Sequence, residues 1–225
     1  MAAVPEFTDQ HGHRIRFEWG PVGARALVDQ VRACVIVDVL SFSTAVSVAA
    51  DAGIVVHPWP WLPEPGTPDA ETAARALDAT LAVHRDRARS DPAAVSLSPA
   101  SLRRTADRVN RVLLPSPNGA SISAALADRG VEVLAGCLRN RTAVAHRLAA
   151  VLDAGAPQDC IAVIAAGERW PDDTLRPAAE DLLGAGAILA ALIDAGHDDL
   201  SVEARLAAES WRLASGSAGF APRDA

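Results

Sequence analysis

The chain has 225 residues, the length of one large domain or two small ones, and half of them are apolar, which is enough for a substantial core. Its 28 acidic and 21 basic residues give a formal net charge of −7, and every basic residue is Arg because the sequence contains no Lys. The missing Lys excludes a Walker-type phosphate loop and Schiff-base catalysis. The acidic balance argues against a nucleic-acid partner held through its phosphates.

Three widely spaced cysteines, Cys34, Cys137 and Cys160, fit neither a zinc-binding nor a C-x-x-C spacing, and we expect them to be reduced and buried. The first residues lack the apolar run of a signal peptide, and no stretch is long and apolar enough for a membrane span. The sequence therefore predicts a cytoplasmic protein with no membrane partner, and its apolar surplus is compatible with a homodimer.

One pattern recurs along the chain: a short β-branched run, a polar loop, an Ala-rich helical stretch and then Gly. The predicted strands cover residues 33–38, 111–114, 131–134 and 160–164, and the glycines that end the helices are Gly53, Gly130, Gly155 and Gly196. Alternating strands and helices predict an α/β fold with a mostly parallel sheet between two helix layers, a three-layer α/β/α arrangement. We expect one such domain over residues 1–213 and a mobile tail over residues 214–225. In such sheets ligands bind beyond the carboxyl ends of the strands, where these loops meet.

The stretch 57–68, HPWPWLPEPGTP, interrupts this pattern. Its five prolines and two tryptophans exclude a helix or a central strand. Two interpretations stay open, a rigid surface excursion and a wall or lid over the site. A helix over 69–80 and a short strand over 81–83 are predicted next, and Ser98 followed by Pro99 indicates a further helix start.

The first loop follows the strand that ends in Asp38. A carboxylate there lies at the edge of the sheet where α/β enzymes often bind magnesium, although a turn or capping Asp is the alternative. Ser43 and Thr44 stand at the next helix start, where hydroxyls cap the helix and free N–H groups bind anions.

The second and third loops carry Ser116, Asn118 and Gly119, and then Asn140. The first group is a turn signal whose exposed amides at Gly119 and Ala120 are suited to hold an anion. Asn140 is a predicted N-cap, and Arg139 and Arg141 beside it are either oxyanion ligands or solvated side chains.

The fourth loop carries Glu168 and Arg169, and Glu180 with Asp181 opens the final predicted helix. Adjacent carboxylates on a buried helix need a cation or a hydrogen-bonding partner, although acidic residues in a first turn also complement the helix dipole. Gly184 and Gly186 each cost about 1 kcal/mol inside a helix, which predicts a close approach of another element.

Five segments in chain order resemble the signature blocks of the 2-phosphosulfolactate phosphatase family (ComB-like). They are VIVDVLSFSTAV, SLSPASL, LPSPNGAS, AGCLRN and AAGERW…EDLLGAGAI, and they span residues 33–195. Members of that family are Mg²⁺-dependent enzymes that hydrolyse 2-phospho-3-sulfolactate to sulfolactate and phosphate. Ser41 stands where the family has Arg, and the Pro-Trp stretch replaces the family's Gly-Gly-Glu-Arg loop.

The resemblance implies a magnesium-dependent phosphomonoesterase acting on a small phosphoester, 2-phospho-3-sulfolactate or a similar phosphorylated hydroxy acid. Its implied metal and catalytic set is Asp38, Glu180 and Asp181. The implied substrate-binding residues are Ser43, Thr44, Ser116, Asn118, Gly119, Asn140, Glu168 and Arg169. The alternative hypothesis is a non-catalytic anion-binding protein that kept the scaffold and lost the family arginines.

Overall fold

The computed structural model describes residues 10–63, 65–91 and 94–216. Its α-helices are α1 Gly20–Leu27, α2 Phe42–Asp51, α3 Ala70–Ala76, α4 Arg85–Ser90, α5 Pro99–Arg104, α6 Gly119–Leu126, α7 Arg141–Ala154, α8 Ala179–Asp194 and α9 Val202–Gly216. Its strands are β1 Ile15–Trp19, β2 Val31–Val37, β3 Val55–Pro60, β4 Thr80–Leu81, β5 Arg111–Ser116, β6 Glu132–Gly136, β7 Cys160–Ala165, β8 Glu168–Arg169 and β9 Leu175–Arg176. The predicted α/β class is confirmed.

The larger sheet has the strand order β1-β7-β2-β6, and all its neighbours are parallel. Alternate residues of β2 enter two different cores because successive side chains of a strand point to opposite faces. Val35 and Val37 pack with α7, α8 and α9, whereas Cys34 and Ile36 pack with α1 and α6. This sheet therefore lies between two helix layers, as predicted.

The strands are divided between two sheets rather than forming one. A smaller parallel sheet has the order β3-β5-β4, and β8 and β9 form a short antiparallel hairpin. Strand β3 runs into the Pro-Trp stretch as far as Pro60 and lies at an edge of its sheet. An edge position tolerates proline, which has no N–H for a second ladder, so the exclusion of a central strand is confirmed.

Glycine ends three of the four predicted helices in the left-handed conformation, with φ of +73° at Gly53, +69° at Gly130 and +94° at Gly196. Gly155 differs, with φ of −88°. A Cβ there would lie 2.7 Å from Asp159 Oδ2, which accepts a hydrogen bond from the Ala156 N–H. Glycine at that position therefore permits a close approach rather than a left-handed turn.

Several predicted boundaries are wrong or incomplete. The helix predicted over 69–80 ends at Ala76, and the strand predicted over 81–83 is β4 plus a single bridge between Val83 and Ser96. Helix α8 is not the last helix, because α9 follows and packs against it. Strand β1, helix α1 and the β8–β9 hairpin were not predicted. The predicted tail begins within α9, and its residues 217–225 lie outside the described part of the chain.

The expectation that the three cysteines are unpaired and buried is confirmed. Cys34, Cys137 and Cys160 are free and buried, and burial raises the pKa of the Cys34 thiol to about 12. Over the described ranges, no helix is both long enough and apolar enough to span a bilayer.

Candidate active site

Asp38 follows β2 and lies where two helices begin. Its Oδ1 accepts a hydrogen bond from the N–H of Phe42, the first residue of α2, at 3.0 Å. Its Oδ2 accepts one from the N–H of Gly119, the first residue of α6, at 2.9 Å. The free amides and the positive dipole end of each helix therefore face this buried carboxylate. Asp38 connects the loop after β2 to the loop after β5.

Asp181, in the first turn of α8, makes the corresponding connection between two other loops. Its Oδ1 accepts a hydrogen bond from the Val39 N–H at 2.8 Å, and its Oδ2 accepts one from the Gly167 N–H at 2.9 Å. Val39 follows β2 and Gly167 follows β7, so Asp181 holds together the ends of two adjacent strands of the larger sheet. Asp181 is only 3% exposed.

Glu168 and Glu180 complete a cluster of four carboxyl groups. Both are half-buried, and Asn118 Nδ2 donates a hydrogen bond to Glu168 Oε2 at 3.1 Å. The Glu180 carboxylate accepts no hydrogen bond from the described residues. None of the four acids forms an ion pair within 4 Å across the described ranges. We call Asp38, Glu168, Glu180 and Asp181 the acidic cluster.

Asp38 and Asp181 both have a raised pKa, and the charges of neighbouring acids contribute to each rise. Burial raises the pKa of Asp38, and the charges of Glu168 and Glu180 raise it further, against the hydrogen bonds from Phe42 and Gly119. Burial is also the main cause that raises the pKa of Asp181 to about 7, with the Asp38 charge adding to it. The loops after β2, β5 and β7 and the start of α8 thus place uncompensated acids together.

The donor set of the cluster suits a hard divalent cation, because carboxylate oxygens are the ligands that Mg²⁺ prefers. Even so, no three His, Cys, Asp or Glu side chains among the described residues are arranged as a metal-binding group. These observations are compatible, since Mg²⁺ usually keeps several waters and takes only one or two protein carboxylates. Glu180 has both oxygens free of hydrogen bonds to described residues, whereas each oxygen of Asp38 and Asp181 has a lone pair left.

Ser43 and Thr44 bond to the main chain of the first loop. The Ser43 hydroxyl donates to the Ile36 carbonyl at 2.7 Å and accepts from the Asp38 N–H at 3.1 Å. Ser43 is fully buried. The Thr44 hydroxyl donates to the Val39 carbonyl at 2.7 Å. These bonds fix the backbone on both sides of Asp38.

The second and third loops are stabilised in a similar way. Gly119 directs its N–H to Asp38, and a Cβ at this position would lie 2.8 Å from Asp38 Oδ2. Ser116 is buried, and its carbonyl accepts a hydrogen bond from the Ser121 hydroxyl at 2.8 Å.

Asn140 occupies the N-cap position of α7, but its side chain makes no capping hydrogen bond. It accepts from the Cys137 N–H at 2.8 Å and donates to the Ala135 carbonyl at 2.9 Å instead.

Three arginines near these loops have protein partners. Arg169 pairs with Asp173 at 2.8 Å and donates to the Pro117 carbonyl at 3.2 Å, so it connects the β8–β9 hairpin to the second loop. Arg139 binds Asp51 and the Ser47 hydroxyl, and Arg141 lies over the ring of Trp211. Only Arg169 also lines a cavity next to the acidic cluster.

That cavity has a volume of about 1000 Å³ and lies between the Pro-Trp stretch, α1 and α6. Its wall includes Arg169 and Pro117, whose chain neighbours Glu168 and Asn118 are hydrogen-bonded to each other. The four acids do not line it, so the cavity is adjacent to the cluster rather than centred on it. The sequence singled out neither Arg25 nor Arg129 of this wall. Arg25 lies on α1, which was not predicted although Pro21 at its start was an available signal, and Arg129 lies just before Gly130 at the end of a predicted helix.

Comparison with known proteins supports the assignment that the loops suggested. The chain matches the family model described as 2-phosphosulpholactate phosphatase over residues 24–219. The chain belongs to the 2-phosphosulpholactate phosphatase family. The match contains all four loops and the whole acidic cluster, and the resemblance seen in the sequence is confirmed. No curated protein matches the chain.

Two close-packed glycines of α8 set how near this helix lies to its neighbours. A Cβ at Gly184 would lie 2.7 Å from Val39 Cγ2, and one at Gly186 would run into the main chain of Ala207. The predicted close approach is therefore confirmed at both positions. The small residues let α8 press against the loop after β2 and against α9, which places Glu180 and Asp181 beside Asp38.

Proposed function

We propose that this protein is a magnesium-dependent phosphomonoesterase whose substrate is a phosphorylated 2-hydroxy acid, 2-phospho-3-sulfolactate or a compound with the same reacting core. The observation that carries this proposal is the acidic cluster, in which four acids without an ion-pairing partner among the described residues meet at the start of α2, α6 and α8. Buried carboxylates without a counter-charge are costly unless they are protonated or bind a cation. Family membership adds the reaction class.

The metal set in this proposal is Asp38, Glu180 and Asp181, with Glu180 as the direct ligand because its carboxylate is free. When bound there, Mg²⁺ supplies positive charge to the phosphoryl oxygens and lowers the pKa of a coordinated water. Asp38 and Asp181 also hold the loops at the ends of β2, β5 and β7, so they position the other groups. Ser43, Thr44 and Asn140 fix the backbone of these loops through the hydrogen bonds described above.

The substrate contacts in this proposal come from Asn118, Glu168 and Arg169. Glu168 holds the Asn118 amide, which donates to a phosphoryl oxygen, and the Arg169 guanidinium binds the carboxylate of the hydroxy acid. The N-terminal turns of α2 and α6 add positive dipole ends beside the phosphate, near Thr44, Ser116 and Gly119. In the reaction the water oxygen bonds to phosphorus, the ester P–O bond breaks, and a water proton ends on the alcohol oxygen.

The test is phosphate release from 2-phospho-3-sulfolactate by protein freed of metal with a chelator. We expect release only after Mg²⁺ is added, with one sulfolactate formed for each phosphate. Glu180→Gln removes the free carboxylate, and Glu203→Gln, also a Glu in the first turn of a helix but exposed, is the matched control. Equal release with and without Mg²⁺ contradicts the metal assignment, and no release from any phosphorylated hydroxy acid contradicts the enzyme.

A second candidate function is anion binding without catalysis. It is favoured by the hydrogen bonds that occupy both oxygens of Asp38 and Asp181, since these carboxylates are then fully explained as connectors of loops. Calorimetry with 2-phospho-3-sulfolactate separates the two functions. Binding heat with no phosphate released over hours supports the second candidate, and phosphate release excludes it.

A further inference from the structure

The cavity beside the acidic cluster is larger than a three-carbon ester requires. At about 1000 Å³ it lies at the upper end of the range for pockets that hold drug-sized ligands. Its wall is formed by aromatic and apolar groups from the Pro-Trp stretch, Trp59, Trp61 and Leu62, together with Pro21 and Pro117. A sulfonate is small and strongly hydrated, so a substrate that carries one would leave most of this apolar wall without a ligand contact.

The main chain of this aromatic wall is hydrogen-bonded to α6, and one of its two tryptophan rings packs against a core. The main-chain N–H of Trp61 donates to the Ser121 hydroxyl at 3.1 Å, and Ser121 in turn donates to the Ser116 carbonyl at 2.8 Å. Trp59 packs against the core that contains Ala73 and Leu113. Trp61 is nevertheless 48% exposed and Leu62 is 79% exposed. Large apolar side chains exposed at the rim of a cavity are typical of a surface that binds an apolar or aromatic group.

The same wall carries positive charge. Among the described residues, three guanidinium groups line it, those of Arg25, Arg129 and Arg169, against one carboxylate, that of Asp173. Arg129 is paired with Asp29 at 3.2 Å, and Arg169 with Asp173, whereas Arg25 has no ion-pair or hydrogen-bond partner within the described residues. A ligand in this cavity is therefore expected to carry a carboxylate as well as an aromatic group, since arginine binds planar anions well.

We propose that this cavity selects phosphorylated 2-hydroxy acids with an aromatic substituent on carbon 3, in place of the sulfonate of phosphosulfolactate. The ring stacks against Trp61 and Leu62, and the guanidinium groups hold the carboxylate. This inference rests on the proposed function, because the ester bond must reach the acidic cluster. Hydrolysis proceeds as above: the water oxygen bonds to phosphorus and the aryl hydroxy acid leaves as the alcohol.

The experiment compares two esters that differ only in that substituent, 2-phospho-3-phenyllactate and 2-phospho-3-sulfolactate, at saturating Mg²⁺. We expect kcat/KM to be at least tenfold higher for the phenyl ester. Trp61→Ala should lower kcat/KM for the phenyl ester about tenfold by raising its KM, and should leave kcat/KM for the sulfonate ester unchanged. Trp61→Phe should keep most of the preference for the phenyl ester. Trp170→Ala is the matched control, because Trp170 is 52% exposed and does not line the cavity.

Arg25→Ala tests the charge of the wall, with the exposed Arg103→Ala as its control. We expect a several-fold higher KM for the phenyl ester and no change in melting temperature. If the sulfonate ester is hydrolysed as well as or better than the phenyl ester, the inference is overturned and the proposed function stands. An equal loss on both esters in Trp61→Ala also overturns it. If neither ester releases phosphate, the proposed function fails and the inference fails with it.

Discussion

The carboxylate of Asp38 and the amide of Gly119 are joined by a hydrogen bond of 2.9 Å, although 81 positions separate them in the chain. Asp38 stands beyond a strand of the larger sheet, and Gly119 opens the helix that follows the central strand of the smaller sheet. This bond therefore connects the two sheets at the edge where the acidic cluster lies. With the bond from Phe42 it makes one buried carboxylate the anchor of two helices.

Replacing Asp38 by Asn tests this anchor with almost no change in shape. An Asn presents an NH₂ group toward one of the two backbone amides, so one buried N–H loses its acceptor, at a cost of about 1–3 kcal/mol in unfolding free energy. We expect phosphate release to fall by about 100-fold as the second loop shifts. Urea unfolding and the phosphate assay measure the two effects. The exposed Asp107→Asn should change neither, and an Asp38→Asn protein with full activity would remove Asp38 from the site.

Gly119→Ala tests how closely the two loops approach. The added Cβ would lie 2.8 Å from both Asp38 Oδ2 and Phe42 Cγ, so the start of α6 must move away from Asp38. We expect a loss of about 1–3 kcal/mol in stability and a large loss of kcat. The control is Gly216→Ala in α9, where an added Cβ meets nothing within 4 Å. Thermal denaturation of both variants is the measurement, and equal melting temperatures would contradict the close approach.

The pKa of Asp181, raised from 3.8 to about 7 by burial, predicts how stability depends on pH. Between these two values the folded protein holds a proton that the unfolded chain releases. The unfolding free energy should therefore fall as the pH rises from about 4 to about 7, and level off above that. Each pKa unit corresponds to about 1.4 kcal/mol, so the change is on the order of a few kcal/mol.

Urea titrations from pH 5 to pH 8, in buffer with a chelator, measure this dependence. Asp181→Asn, which cannot ionise, should flatten the profile between pH 5 and pH 7. The raised pKa of Asp38 acts in the same direction, so part of the slope should remain in that variant. A wild-type stability that rises over this range would show that Asp181 is ionised in the folded protein.

Magnesium should reverse this trend. An ion that binds the folded protein alone adds stability that grows with its concentration, and ionised carboxylates bind it more tightly. We expect Mg²⁺ to raise Tm more at pH 8 than at pH 6. Glu180→Gln should weaken the apparent affinity for Mg²⁺ by at least about tenfold, whereas Glu203→Gln should leave it unchanged. The same Mg²⁺ response in both variants would contradict the place of Glu180 in the metal set.

Much of the fold could be predicted because strand and helix periodicities are local. The runs that became β2, β5 and β7 are apolar on both faces, and such runs are typical of a parallel sheet covered on each side. The elements that were missed have weak local signals. Strand β1 mixes Arg16 and Glu18 into its five residues. Arg16 is buried, and its guanidinium group donates to Gln30, the His13 carbonyl and the Cys160 sulfur.

The site residues also divide into those that the sequence indicated and contacts that only the folded structure shows. The sequence indicated Asp38, Glu168, Glu180 and Asp181 one by one, with a turn or capping alternative for Asp38 and a helix-dipole alternative for Glu180 and Asp181. It carried no signal that Gly167 and Val39 would donate to Asp181, because both donors are backbone amides and any residue but proline has one. The role of Ser43 as a support of the backbone is equally invisible, since a hydroxyl at a helix start looks the same in both roles.

The sequence by itself determined the α/β class, the order of the loops and the family, since these follow from the chain's own periodicity and from residues in fixed succession. The tertiary structure alone decided which loops meet, how the strands divide into two sheets and where the large cavity lies. These three features depend on free-energy differences between alternative ways of packing the same helices and strands. Contacts that contribute to such differences include the packing of Gly186 against Ala207 and the hydrogen bond between Asp38 and Gly119. A hydrogen bond between residues 81 positions apart has no local pattern, because it forms only after the helices have packed.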